Sequence, residues 1–121
     1  MAEAAKLIDS DVFIDVLRTG SPSSRAAIED HAAYSVITRT ELFSGVSDAE
    51  HDLRRLLAPH AELTVSREIA ELAGVLRRSV RIAVPDALIA ATALLHDLTL
   101  VTRNVRHLER VPRLRLLSPT P

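Results

Sequence analysis

The stretch KLIDSDVFIDVL, residues 6–17, decides the fold of the whole chain. An apolar run at residues 7–8 stops at Asp9, and a second run with helical spacing begins at Val12. This pattern predicts a buried strand that ends in carboxylates and is followed directly by a helix. In open α/β sheets, ligands bind just outside the carboxyl ends of the strands, so Asp9 and Asp11 are candidate cation ligands. The alternative is that one of them only caps the next helix.

Composition limits the classes of protein to which the chain can belong. Its 121 residues suffice for one domain with a core but not for two, so we expect a single domain over residues 1–121. The formal net charge of −1 gives no strong overall attraction to nucleic acid or to an anionic membrane. The absence of cysteine excludes disulfides, thiolate catalysis and cysteine zinc sites. No apolar run approaches a membrane span and no signal peptide is recognisable, so we expect a cytoplasmic protein without membrane contact.

Short β-type runs alternate with helical patterns along the rest of the chain. Further strands are predicted at residues 34–37, 62–65, 98–102 and 114–117. Helical patterns are predicted at 12–17, then to about residue 31, and at 38–46, 47–57, 66–76, 87–95 and 104–109. This alternation predicts an α/β fold with a mainly parallel sheet covered on both faces.

Polar side chains follow several of the predicted strands. Asp9 follows the first strand, Glu41 lies in the helix after the second, and Asp86 begins the most apolar helix. Thr102 and Asn104 follow the fourth strand, although both also suit a plain turn. Because the carboxyl ends of parallel strands share one edge of a sheet, these groups are expected to converge.

Two of the acids have a purely structural alternative. Thr38 and Glu41 match a capping box, in which the Glu reaches back to a backbone N–H. Asp86 could simply favour the positive end of its helix. However, Ile89 and Ala93 follow Asp86 at helical spacing, so its side chain is predicted at the top of the buried stripe.

Converging carboxylates would need a counter-charge. Two like charges about 4 Å apart repel by roughly 4 kcal/mol at an effective dielectric near 20. A cluster of three must therefore take up protons or bind a cation. Oxygen ligands without cysteine or grouped histidine favour Mg²⁺ or Mn²⁺ over zinc. Such a cation can polarise a phosphate oxygen and activate water for attack on a phosphodiester.

Four motifs in order resemble one protein family. They are LIDSDVFI at 7–14, ITRTELFSG at 37–45, PDALIAATA at 85–93 and LVTRNVRHL at 100–108. Together they resemble the PIN-domain ribonucleases, and most closely the VapC toxins of bacterial toxin–antitoxin pairs. The resemblance implies a three-layer α/β/α fold with a parallel sheet, an acidic Mg²⁺-dependent pocket in which Mn²⁺ can substitute, and endonucleolytic cleavage of RNA.

The resemblance also assigns roles to individual acids. It implies that Asp9 and Asp86 are the main metal ligands, and that Glu41 is a third acid that orients water or acts as a base. Asn104 falls where many members of the family have a fourth acid, and it brings no charge. Asp11 stands where the family often has Asn, so it restores some negative charge.

Neighbouring polar residues complete the implied site. Ser10 and Thr102 are expected to orient the acids. Arg39, Arg103 and Arg106 lie next to the acids in sequence and could hold backbone phosphates of RNA. Each of these arginines could equally be a solvated surface charge.

The resemblance also implies partners, and two rival functions remain as alternatives. The resemblance implies inhibition by a cognate VapB-type antitoxin and formation of a homodimer. One rival is a catalytically weak PIN domain that works as a partner-binding module in a DNA-binding regulatory complex, which Asn104 favours. Another is a phosphatase of the haloacid dehalogenase type, because residues 9–11 resemble its nucleophile motif. That chemistry needs a lysine later in the chain, and Lys6 lies upstream.

Overall fold

In the computed structural model, which describes residues 4–29, 32–45 and 47–119, strands alternate with helices. A short 3-10 turn, Ser47–Ala49, precedes the fourth helix. The elements in chain order are β1 (Lys6–Ile8), α1 (Ser10–Thr19), α2 (Pro22–Glu29), β2 (Ala32–Ser35), α3 (Val36–Phe43), α4 (Glu50–Leu57), β3 (Ala61–Leu63), α5 (Arg67–Ser79), α6 (Val84–Leu95), β4 (Thr99–Val101), α7 (Val105–Leu108) and β5 (Leu116–Leu117).

The five strands form one parallel sheet in the order β3-β2-β1-β4-β5. The central strand is β1, where Leu7 pairs with Ala33 of β2 and with Leu100 of β4. The chain proceeds outward from β1 to β3 and then crosses back to β4. The change of direction falls between β1 and β4, and a crevice forms outside the carboxyl ends of strands at such a point.

Adjacent residues of the central strands are buried on opposite faces of the sheet. Leu7 and Leu100 pack with the buried residues of α5 and α6. Ile8 and Val101 belong to a second core on the other face, which includes Phe13 of α1. Both faces are therefore covered by helices, as the continuous apolar strand runs predict. The predicted three-layer α/β/α fold with a central parallel sheet is confirmed.

The predicted position of the second strand is wrong by two residues. The strand ends at Ser35, and Val36 and Ile37 already belong to α3. The Ser35 hydroxyl accepts a hydrogen bond from the backbone N–H of Ile37 at 3.0 Å and caps the helix. This cap outweighs the strand preference of the two β-branched residues that follow it. Since α3 begins before Thr38, the capping-box interpretation of Thr38 and Glu41 is also wrong.

Other element boundaries agree more closely with the sequence. Gly20 ends α1 in the left-handed region, at φ 63°, and Ser66 caps α5 through the N–H of Ile69. The strands β3, β4 and β5 are shorter than predicted, and β3 begins one residue earlier. The predicted helix to about residue 31 is α2, although residues 30 and 31 lie outside the described part, as does residue 46. In the part that is described, no helix is long and apolar enough to cross a membrane.

Candidate active site: a carboxylate cluster at the sheet edge

Asp9 lies at the carboxyl end of β1, where the sheet changes direction. Its side chain is only 6% exposed. One carboxylate oxygen accepts the backbone N–H of Ser10 at 2.8 Å, and the other accepts the Thr102 hydroxyl at 2.8 Å. Thr102 follows β4, the strand beside β1. Asp9 is therefore the N-cap of α1 and also a buried carboxylate of the crevice, so both interpretations of this residue hold.

Asp11 joins the start of α1 to the loop after β4. The backbone N–H of Arg103 donates to both of its carboxylate oxygens, at 3.1 and 3.2 Å. The Thr102 hydroxyl lies 3.4 Å from one of them. Burial raises the pKa of the half-buried Asp11 carboxyl, and the bond from Arg103 opposes that shift. The loop thus holds Asp11 beside Asp9.

Glu41 approaches the same edge from α3. The Ser10 hydroxyl donates to one of its carboxylate oxygens at 3.2 Å, which connects α3 to the start of α1. Burial raises the pKa of Glu41, and repulsion from Asp86 and Asp11 raises it further. The helix therefore presents Glu41 to the other acids instead of to its own backbone.

Asp86 enters the site from the first turn of α6. It is half-buried, and this burial raises its pKa. The positive charge of His107, on α7, opposes the shift. Asp86 lies at the top of the buried stripe of α6, because Ala87, Ile89 and Ala90 are all buried. A residue that only served the helix dipole would more often be solvated.

Together these four acids form what we call the carboxylate cluster: Asp9, Asp11, Glu41 and Asp86. Burial, followed by repulsion from Asp11 and then from Glu41, raises the pKa of Asp9 to about 7. Hydrogen bonds from Thr102 and Ser10 oppose this shift without cancelling it. Asp9 is thus coupled to Glu41, and Glu41 to Asp86, across acids that come from the end of β1, from α3 and from α6. A cluster with these properties must hold protons or a cation.

The fold and this cluster can be compared with known proteins. The family model described as the PIN domain matches residues 6–114. This chain belongs to the PIN-domain family. Ribonuclease VapC19 of Mycobacterium tuberculosis is 34% identical to it over 122 residues, with 91% of this chain and 97% of the relative covered. Ribonuclease VapC10 of the same organism is 38% identical over 120 residues, with 90% of each covered. The PIN-domain chain is thus a relative of the VapC ribonucleases.

Solved structures give the same fold. A toxin–antitoxin complex from Klebsiella pneumoniae contains a chain that is 32% identical, with a TM-score of 0.83 and coverage of 95% of this chain and 98% of that chain. A DNA-bound VapBC from Salmonella typhimurium has a TM-score of 0.88, with 97% and 99% covered. At 20% identity, the latter comparison concerns the fold alone.

The donor set of the PIN-domain site suits a hard divalent cation. Asp9, Glu41 and Asp86 offer only carboxylate oxygens, which Mg²⁺ and Mn²⁺ prefer. A bound cation would offset the burial and the repulsion that raise the pKa of Asp9 to about 7. Among the described residues, no three acidic, histidine or cysteine side chains lie close enough together to hold a metal ion. At this edge of the sheet the Thr102 hydroxyl donates to Asp9 and the Ser10 hydroxyl donates to Glu41.

Asn104 and His107 form a pair that the sequence did not reveal. The backbone N–H of Asn104 donates to the Thr102 hydroxyl at 3.0 Å. Its side-chain oxygen bonds to Nδ1 of His107, one turn later. The four-residue helix α7 is too short to show helical periodicity, so no sequence signal placed His107 beside Asp86.

Two of the three arginines predicted near the acids are bound to other side chains. The Arg103 guanidinium donates to Asp15 at 2.8 Å. The Arg39 guanidinium bonds to Glu62 and donates to the Tyr34 hydroxyl. Arg106 is exposed. The structure therefore leaves Arg106 the least constrained of the three candidates for a phosphate contact.

An apolar groove adjoins the carboxylate cluster. Its volume is about 250 Å³, and Glu41 is one of the residues that line it. Arg18 of α1 adds the other charge. The remaining lining is apolar or small: Ile14, Leu17, Leu42, Gly45, Ala49 and Leu53. Such a surface suits the apolar side chains of a protein partner more than a nucleic-acid backbone.

Proposed function

We propose that this PIN-domain protein is a Mg²⁺-dependent endoribonuclease, and that it acts as the toxin of a VapBC-type toxin–antitoxin pair. The observation that carries the proposal is the carboxylate cluster, in which burial and two neighbouring acids raise the pKa of Asp9 to about 7. The names of the relatives VapC19 and VapC10, both called ribonucleases, support RNA as the substrate.

In this proposal Asp9, Asp86 and Glu41 hold the cation. When bound, Mg²⁺ or its substitute Mn²⁺ polarises a phosphate oxygen and favours attack by water on the phosphodiester. The remaining chemistry belongs to the protein. The raised pKa of Glu41 makes its carboxylate suitable to accept the proton that the attacking water loses. Thr102 and Ser10 fix the orientation of Asp9 and Glu41 through their hydroxyl donors.

The proposed partner is a VapB-type antitoxin. Its supports are the apolar groove beside Glu41 and the likeness to the Klebsiella pneumoniae toxin–antitoxin complex. A segment seated in that groove would lie within reach of the acids and would block RNA. We also propose, from the resemblance, that the protein forms a homodimer and works in the cytoplasm.

One alternative function has a specific observation in its favour. Asn104 brings no charge, and the described acids are not gathered into a closed ligand set. Both features would suit a catalytically weak PIN domain that serves as a partner-binding module in a DNA-binding regulatory complex. Cleavage by the purified protein separates the two proposals.

The deciding experiment is cleavage of total RNA by the purified chain with Mg²⁺, Mn²⁺ or EDTA. We expect discrete fragments with either cation. Asp9→Asn and Asp86→Asn should reduce cleavage to the level measured with EDTA, because each removes a proposed ligand. The matched control is Asp48→Asn, an exposed acid outside the cluster. Full activity in Asp86→Asn would refute the site, and metal binding by the wild type without cleavage would favour the binding module.

A further inference from the structure

The side chain of Asn104 is held in a fixed orientation at the edge of the carboxylate cluster. Asn104 directly precedes α7, yet its side chain caps no backbone N–H of that helix. Its oxygen is instead bonded to His107 Nδ1, and its backbone N–H is bonded to the Thr102 hydroxyl. Since Thr102 also donates to Asp9, the two hydrogen bonds of Asn104 link His107 to the cluster.

The bond between the two side chains fixes where the protons lie. A carbonyl oxygen can only accept, so Nδ1 of His107 must carry the hydrogen. The amide nitrogen of Asn104 is then turned away from His107, and its two N–H groups donate to none of the residues that the structure describes. His107 is exposed, and the pair borders the cluster through Thr102, which accepts from the Asn104 backbone and donates to Asp9.

We propose that Asn104 contacts the substrate, with its amide N–H groups donating to a non-bridging phosphate oxygen of single-stranded RNA, and that His107 is the positioning residue that sets this orientation. The proposal rests on the proposed ribonuclease function. A carboxylate at position 104 would add another negative charge beside four acids and would repel a phosphate. A neutral amide offers the opposite polarity at the same place.

The substitution Asn104→Asp separates this role from weak metal coordination. We expect the variant to bind Mn²⁺ more tightly in titration calorimetry, because it adds a charge. Its kcat/KM for RNA should nevertheless fall roughly ten- to a hundredfold, since a hydrogen bond to a charged phosphate is lost. Metal affinity and rate thus move in opposite directions. An Asn104→Asp variant that cleaves as fast as the wild type, or faster, would overturn the proposal.

Variants of His107 test the positioning role. In His107→Asn the amide nitrogen takes the place of Nδ1, so the donor to Asn104 remains and activity should stay within about threefold of wild type. His107→Phe keeps an aromatic ring but loses the N–H group that donates to Asn104. The KM for RNA should therefore rise about tenfold while kcat changes less. His96→Phe, on an exposed histidine at the far end of α6, is the matched control. Equal losses in His107→Asn and His107→Phe would contradict the role.

The orientation itself can be measured without metal or RNA. In ¹⁵N–¹H spectra of the imidazole groups at about pH 8, His107 should carry its proton on Nδ1. Asn104→Ala should move that proton to Nε2, the usual site in free imidazole. If His107 of the wild type carried its proton on Nε2, it could not donate to Asn104 through Nδ1, and the positioning role would be overturned. If the wild type cleaves no RNA, the proposed function fails and the substrate contact fails with it. If it cleaves and Asn104→Asp matches it, only this inference fails.

Discussion

Asp9 has two roles with opposite effects on the stability of the fold. As the N-cap it accepts the first N–H of α1, which stabilises the helix. As a buried acid beside Asp11 it destabilises the metal-free fold whenever it is charged, because burial and repulsion raise its pKa to about 7. A residue that costs stability in this way is typical of a functional site.

The substitution Asp9→Asn should therefore stabilise the metal-free protein at high pH. Below about pH 4 the carboxyl is protonated in both states and contributes nothing. Between about pH 4 and 7 the folded state keeps a proton that the unfolded state has lost, so stability falls as pH rises. Above that window the full penalty applies, and its removal should raise the free energy of unfolding by up to about 4 kcal/mol.

Urea unfolding in EDTA from about pH 4.5 to 8.5 measures this gain. The difference between variant and wild type should vanish at the acidic end and grow toward pH 8. Asp48→Asn, an exposed acid, should show no such trend. A gain for Asp9→Asn that stays constant across the whole pH range would show that Asp9 is not protonated as described.

The sequence predicted the acids of the site and the two hydroxyls that orient them, Ser10 and Thr102, but not the side-chain pair beside them. Asp9, Glu41 and Asp86 could be predicted because each follows, begins or lies within a strongly patterned element. The pairing of Asn104 with His107 could not, since it depends on a single turn between two short elements. The predicted neighbourhood of Arg39 was based on sequence distance, whereas its guanidinium turns to Glu62 and Tyr34.

At the scale of elements, α3 shows why boundaries near the site were hard to predict. Tyr34 to Ile37 contains β-branched and aromatic residues, which favour a strand. A single hydroxyl, that of Ser35, ends the strand two residues early and starts α3. Because the cap begins α3 at Val36, Glu41 lies in its second turn, where its side chain bonds to Ser10 and not to the helix backbone. A local cap thus places a catalytic candidate.

We expect Ser35→Ala to lower both stability and function, in contrast to a matched cap elsewhere. Loss of either cap, in Ser35→Ala or Ser66→Ala, should cost about 1 kcal/mol of unfolding free energy. Only Ser35→Ala should also reduce RNA cleavage, because α3 carries Glu41 of the cluster whereas α5 carries none of its acids. Urea unfolding and cleavage at a temperature where both variants are folded test this. If Ser35→Ala and Ser66→Ala cleave RNA equally, the Ser35 cap does not contribute to the position of Glu41.

At the scale of the whole molecule, strand order brings the site together. The strands β1 and β4 are adjacent although 90 residues lie between them in sequence. Asp9 at the end of one therefore meets Thr102 at the end of the other. The strand pattern predicted a parallel sheet, and the resemblance implied its layers. The order β3-β2-β1-β4-β5 follows from long-range packing that no local pattern contains.

Because the proposed ligands come from β1, α3 and α6, cation binding should stabilise the fold as a whole. A ligand at about a hundred times its dissociation constant adds about 2.7 kcal/mol to the free energy of unfolding. Mn²⁺ should therefore raise the melting temperature of the wild type by several degrees. The rise should be absent in Asp86→Asn and should be reversed by EDTA. KCl at matched ionic strength controls for screening of the acids. An equal rise in Asp86→Asn would place the cation elsewhere, even if the chain cleaves RNA.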